Sequence, residues 1–337
     1  MMVMVTGIGS LPFTDVDRAL DVVFASCPEA PFWPQLPRRS FLENMYVQSL
    51  EGLPGLVIDE KNGTVYVDTR RTDGIEQFYE DVSGGNVGAF RLSEAAAPGF
   101  YRFLERLGEI SDGVRVIKGQ LTGPFTCGLG MKDENGKAII YDPGYFDIVK
   151  KMLHMRGRWM ESTIRERYPD KEVLLFFDEP FMVSFGSAYV SIPKEEVVSS
   201  INEVLDGVEA TTGIHCCGNT DWSVLLATRV DVVNYDAFGY LDTIFYYRQE
   251  LAAFLARGGT ISPGIVPSSE AVIDATAADM EALWEGFTSS LSAALPGATD
   301  ARFFVTPSCG LGSLAEADAM KALQLLKQLT RTIERKG

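Results

Sequence analysis

The sequence predicts a (β/α)₈ barrel, and three observations point there. Short β-rich runs alternate with longer amphipathic stretches, the pattern of parallel strands joined by crossover helices. The runs end in Gly, Pro, Asp or Cys, residues that stop a strand and open a loop. A length of 337 residues suits eight such units carrying insertions. An open doubly wound sheet would share the alternation, but no glycine-rich phosphate fingerprint follows the first strand.

Seven strands are expected at Val3–Gly9, Arg115–Thr122, Val173–Asp178, Gly213–Cys217, Asp231–Asp236, Thr260–Ile265 and Arg302–Thr306, all rich in β-branched or aromatic residues. A further strand near Leu56–Asp59 would bring the count to eight. The run from Val57 to Val67 also reads as a hairpin turning at Asn62-Gly63, an insertion on the barrel near 56–70. Helices are expected at Asp15–Ser26, Tyr145–Tyr168, Glu195–Asp206, Ser269–Leu295 and Ser313–Arg335. There is no Ser/Gly-rich linker and no internal repeat, so residues 1–337 read as one domain.

Charge narrows the function. A net charge of −16 sets the chain against nucleic acid and against an anionic membrane surface. No run approaches the ~18–20 uncharged apolar residues that span a bilayer. Met1 to Pro12 lacks the basic flank and long apolar core of a secretory signal, so the cytoplasm is the expected compartment. Five cysteines, an odd number, suit a reducing compartment and give no complete disulfide framework. Only two histidines are present, His154 and His215.

The strongest chemical signal is Gly213-Ile-His-Cys-Cys-Gly-Asn219. Alternate residues of a strand face one side, so His215 and Cys217 point together and Cys216 points away into the core. An imidazole and a thiolate so placed make half a zinc site. Cys309, in Val305-Thr-Pro-Ser-Cys-Gly-Leu311, ends another strand, and barrel strands converge at one mouth. Asp236, closing Val233-Asn-Tyr-Asp236, offers a carboxylate for the fourth position, which is otherwise left to an incoming thiol. Zinc on a substrate thiol keeps it a reactive thiolate at neutral pH, as alkyl transfer to sulfur requires. Cys27, near a helix end, and Cys127, in a Gly-rich loop, read as structural.

Two weaker signals accompany it. In Phe176-Phe-Asp-Glu-Pro180, Asp178 stands at a strand end, either facing the mouth to grip an ammonium group or capping the next helix. In Thr6-Gly-Ile-Gly-Ser-Leu-Pro12, the Ile8-Gly9-Ser10 turn is either a cradle for a carboxylate or a plain strand end.

Taken in order, these motifs resemble the catalytic barrel of cobalamin-independent methionine synthases. Ile8-Gly-Ser-Leu-Pro12 is similar to that family's IGSFP element, Lys118-Gly-Gln-Leu-Thr-Gly-Pro124 to its KGxLTGP, Asp178-Glu-Pro180 to its DEP, His215-Cys-Cys217 to its HxC and Pro307-Ser-Cys-Gly-Leu311 to its PDCGL. The resemblance implies a zinc-bearing barrel that methylates homocysteine. It implies His215, Cys217 and Cys309 as ligands, with Asp236 where the family has Glu. Ser10 would hold the acceptor's carboxylate and Asp178 its amino group, and Glu43 stands where a second amino-group partner is expected.

Departures bear on the donor. Full-length members of the family carry a second, N-terminal barrel, for which 337 residues leave no room. The family's folate-stacking Trp is replaced by Cys127-Gly-Leu-Gly130, and its histidine-bearing segment by Ser262-Pro-Gly-Ile-Val-Pro267. A methylcorrinoid, free or on a carrier protein, is therefore expected in place of methyltetrahydrofolate. Cys217-Gly-Asn219 is also similar to an element of the corrinoid-protein:coenzyme M methyltransferases, the alternative reading. A zinc-binding barrel without catalysis is the third, and the Ser10 and Asp178 clamp speaks against it.

Overall fold

The computed structural model describes residues 2–188, 190–298 and 302–336. Among the described residues the strands are β1 (Met2–Val5), β2 (Leu56–Asp59), β3 (Thr64–Val67), β4 (Val116–Thr122), β5 (Glu172–Asp178), β6 (Thr211–Cys216), β7 (Val232–Asp236), β8 (Thr260–Val266) and β9 (Arg302–Pro307). Seven form one parallel sheet in the order β1-β9-β8-β7-β6-β5-β4, curled into a barrel with helices packed around it. These are the seven strands expected from the sequence.

The eighth place is not filled as expected. Leu56–Asp59 pairs only with Thr64–Val67, as an antiparallel hairpin outside the barrel sheet. The gap between β1 and β4 is closed by an irregular segment, residues 29–35. The Lys118 N–H donates to Pro31, the Trp33 N–H to Lys118, and the Val116 N–H to Glu29. On its other side the Gln35 N–H donates to Gly9, and the Leu11 N–H to Gln35. Pro31, Pro34 and Pro37 interrupt the run. Each proline lacks an N–H, so this edge carries single parallel bridges, Ser10 to Gln35 and Phe32 to Lys118, instead of a ladder.

Helices Val16–Ser26, Pro143–Arg167, Lys194–Leu205 and Glu316–Lys336 match their expected ranges within a few residues. The expected Ser269–Leu295 helix is broken. A single turn, Glu270–Ile273, precedes a helix at Ala277–Ala294. Thr276 and Asp279 form a reciprocal capping box that starts the second piece afresh. Cys127 lies in a short helix, Pro124–Gly130, rather than in a loop. None of the helices among the described residues is long and apolar enough to cross a membrane.

Inward-facing side chains fill the barrel in layers. At the bottom, Arg302 grips Glu172 through two bonds of 2.6 and 2.8 Å. Above it lies an apolar layer of Met4, Val116, Leu174, Phe176, Val232 and Phe304. The next inward positions are polar and buried: Thr6, Lys118, Asn234, Ser262 and Thr306. The mouth, at the C-terminal strand ends, stands on this polar floor.

Candidate metal centre

His215 is on β6, Cys217 follows that strand directly, and Cys309 follows β9. Their donor atoms lie within 4.8 Å of one another. Strand alternation sends Cys216 the other way, into the main core between sheet and helices. Strands that are distant in sequence thus bring two thiols and an imidazole to one point at the mouth.

The imidazole is oriented from below. The Asn234 amide nitrogen donates to the Ser262 carbonyl at 2.9 Å, to Ser262 Oγ at 2.8 Å and to Thr306 Oγ1 at 2.9 Å. Those two hydroxyls donate onward to the Phe304 and Pro307 carbonyls. Asn234 Oδ1 is therefore the acceptor that faces His215 Nδ1, at 2.5 Å. This fixes the Nδ1–H tautomer and leaves the Nε2 lone pair free. Nε2 is buried without a hydrogen-bond partner, a costly state for a polar atom. An orphaned imidazole nitrogen beside two thiols fits a soft divalent metal such as zinc.

The thiols behave as a pair. A hydrogen bond from Cys309, with the neighbouring His215 second, pulls the Cys217 thiol well down, against burial. Cys309, donating to that thiolate, is pushed up. Burial disfavours the imidazolium of His215, yet Cys217 and Asp178 outweigh it and raise the group overall.

Asp178 pairs in register with His215 across β5 and β6. Its Oδ1 is buried without a partner, and the side chain caps no helix. Burial raises its carboxyl, while the charges of His215 and Lys118 draw it back. The neighbouring Glu179 has a structural task. Its carboxylate accepts the Phe125 and Thr126 N–H groups at 2.9 and 2.6 Å, closing the N-terminus of Pro124–Gly130.

The Ile8-Gly9-Ser10 turn interlocks with the Cys309 loop. The Leu311 N–H donates to the Ser10 carbonyl at 2.9 Å, and the Gly312 N–H reaches Ser10 Oγ at 3.4 Å. A Cβ on Gly9 would stand 2.6 Å from Gln35 Oε1 and 2.7 Å from Gln120 Nε2, so both amide side chains would have to move. The Ile8 carbonyl accepts from Lys118 Nζ at 2.8 Å.

Two expected site residues stand apart. The Asp236 carboxylate caps the turn at Ala237–Tyr240, its Oδ1 accepting the Gly239 N–H at 2.8 Å. Its charge reaches His215, but among the described residues the clustered donors are His215, Cys217 and Cys309, without Asp236. Glu43 is engaged locally, with Oε2 on the Leu36 N–H at 2.9 Å and Oε1 on Arg39 Nε at 2.5 Å. Sequence reasoning missed Asn234 as the orienting partner. A polar residue two places before Asp236 on the same inward face was the available signal.

No family model matches the chain, and no curated protein matches it. Among solved structures the chain is similar to a B12-independent methionine synthase from Shewanella sp. W3-18-1 in complex with selenomethionine. Identity is 15% and the TM-score 0.49, over 69% of this chain and 67% of that one.

Proposed function

We propose that this chain is a zinc-dependent methyltransferase that methylates the thiol of homocysteine, the step that forms methionine. The observation that carries the reading is the His215, Cys217 and Cys309 cluster with its orphaned Nε2. His215, Cys217 and Cys309 would hold zinc. Bound there, the metal would keep the acceptor's sulfur a thiolate at neutral pH. Asp178 receives the acceptor's ammonium group through its unpartnered Oδ1, and Ser10 stands for the carboxylate.

The donor we propose is a methylcorrinoid. A methyl on a tertiary amine leaves poorly unless that nitrogen is protonated, which calls for a general acid. His215 is committed to the cluster, and the ring of His154 bonds the Val204 carbonyl from helix Pro143–Arg167. A methyl on cobalt needs no such acid. The acceptor sulfur forms its bond to carbon, the cobalt–carbon pair leaves with cob(I)alamin, and the thiol proton goes to solvent.

Assay of zinc-loaded protein with homocysteine, or with coenzyme M, and either methylcobalamin, a methylated corrinoid protein or methyltetrahydrofolate tests both halves. Methionine is expected from the corrinoid donors. Turnover with methyltetrahydrofolate alone overturns the donor, methylation of coenzyme M alone overturns the acceptor, and no transfer to any thiol overturns the activity.

Asn234 gives a separate check. Asn234→Leu removes the acceptor that orients His215, and zinc affinity should fall roughly 10–100-fold. Competition against a chromogenic chelator reads this directly. Unchanged affinity would show that the amide does not orient a ligand.

A further inference from the structure

Lys118 is a charged side chain sealed inside the barrel, and the thiol chemistry above does not use it. Its Nζ donates to the Ile8 carbonyl at 2.8 Å and to Gln120 Oε1 at 3.2 Å, and stands 4.5 Å over the Phe176 ring. Both acceptors are neutral. A buried ammonium hydrogen-bonded to no carboxylate is expensive, so its place needs a reason. Burial brings its pKa down to about 8, opposed chiefly by Asp178, so at neutral pH the group keeps its donors.

The reason lies in the seam of the barrel. Between β1 and β4 the proline-rich segment 29–35 supplies single bridges instead of a ladder. Lys118 and Gln120 are successive inward residues of β4, and each sends a side-chain donor into this seam. Lys118 reaches the Ile8 carbonyl, and Gln120 Nε2 reaches the Trp33 carbonyl at 2.8 Å. Side chains thus do here what backbone N–H groups do elsewhere in the sheet. Ile8 leads into Ser10, whose carbonyl and hydroxyl accept the Leu311 and Gly312 N–H groups. A Cβ on Gly310 would meet Ser10 Oγ at 2.2 Å, so the two loops are in close contact.

We propose that Lys118 is a positioning residue that sets the place of Cys309 through a relay: Lys118 to the Ile8 carbonyl, Ser10 to the 309–312 loop. This rests on the reading of Cys309 as a metal ligand, but the relay itself is testable without metal.

The experiment is amide hydrogen exchange of the zinc-free full chain, paired with zinc affinity by chelator competition. Lys118→Met removes the donors with little change in volume. Lys118→Gln, which can still donate but reaches less far, is the second variant should the first fail to fold. In Lys118→Met, exchange at residues 309–312 should rise roughly tenfold through local opening. Amides bonded far from the seam, such as that of Glu209 on Glu161, should hold their wild-type rate. Zinc affinity should fall roughly tenfold, as for other partners that act behind a ligand. Lys118→Gln should fall between. Unchanged exchange at 309–312 overturns the relay, and so does faster exchange throughout the chain, which marks a general stabilising role. Faster exchange at 309–312 with unchanged zinc affinity upholds the relay and instead overturns Cys309 as a ligand.

Discussion

Purified protein should carry about one zinc per chain, and Cys217→Ser and Cys309→Ser should each lose most of it. Serine keeps the size of the side chain but replaces a soft, readily ionised thiol with a hard hydroxyl that stays protonated at neutral pH. Two donors of three then remain, and the His215 Nε2 returns to being a buried orphan. The effect should be large because metal binding at such a site depends on the whole donor set closing together. Cys216→Ser is the internal control. Its thiol lies one residue from Cys217 in sequence, yet in the core on the opposite face of the strand, so metal content should hold. Elemental analysis of the wild type and the three variants decides the point. Equal zinc in all four would remove the metal centre, and with it the proposed activation of the thiol.

Asp178→Asn is expected to weaken homocysteine by about 1.5–3 kcal/mol, the range for a lost hydrogen bond to a charged group. That is roughly a tenfold to hundredfold rise in Kd. The substitution keeps shape and leaves zinc content unchanged, so the loss belongs to the ammonium group. A thiol of similar length without an amino group, such as 4-mercaptobutyrate, should bind the variant and the wild type alike. The reason is the unpartnered Oδ1. It is buried beside His215 with no donor from the protein, and an acceptor's ammonium group would supply one. Calorimetric titration of both thiols into both proteins separates the cases. Equal loss for the two thiols would make Asp178 a structural residue, and no loss for either would leave the amino group unrecognised.

Much of this arrangement was legible without coordinates. Short β-branched and aromatic runs placed all seven regular strands of the barrel sheet, because a strand covered on both faces reads as a compact, mostly apolar run. The period of two along a strand separated Cys217 from Cys216, and the convergence of parallel strands at one mouth brought Cys309 to His215 across ninety-odd residues. Those are consequences of backbone geometry alone, which sequence spacing encodes directly. The eighth position was not legible. Its segment is laced with prolines and pairs through isolated bridges and through Lys118 and Gln120, none of which leaves a periodic trace. Nor could sequence say how a carboxylate is spent. Asp178, Glu179, Asp236 and Glu43 are equivalent acids on paper. In the fold, Glu179 and Asp236 accept from helix-end N–H groups, Glu43 is taken by Arg39 and the Leu36 N–H, and of the four Asp178 alone has a buried oxygen without a partner. Which N–H or guanidinium comes within reach depends on side-chain packing between elements far apart in the chain. Strand periodicity is a local property of the backbone, whereas the saturation of a buried polar atom is decided by its neighbours in space, and that the tertiary structure alone determines.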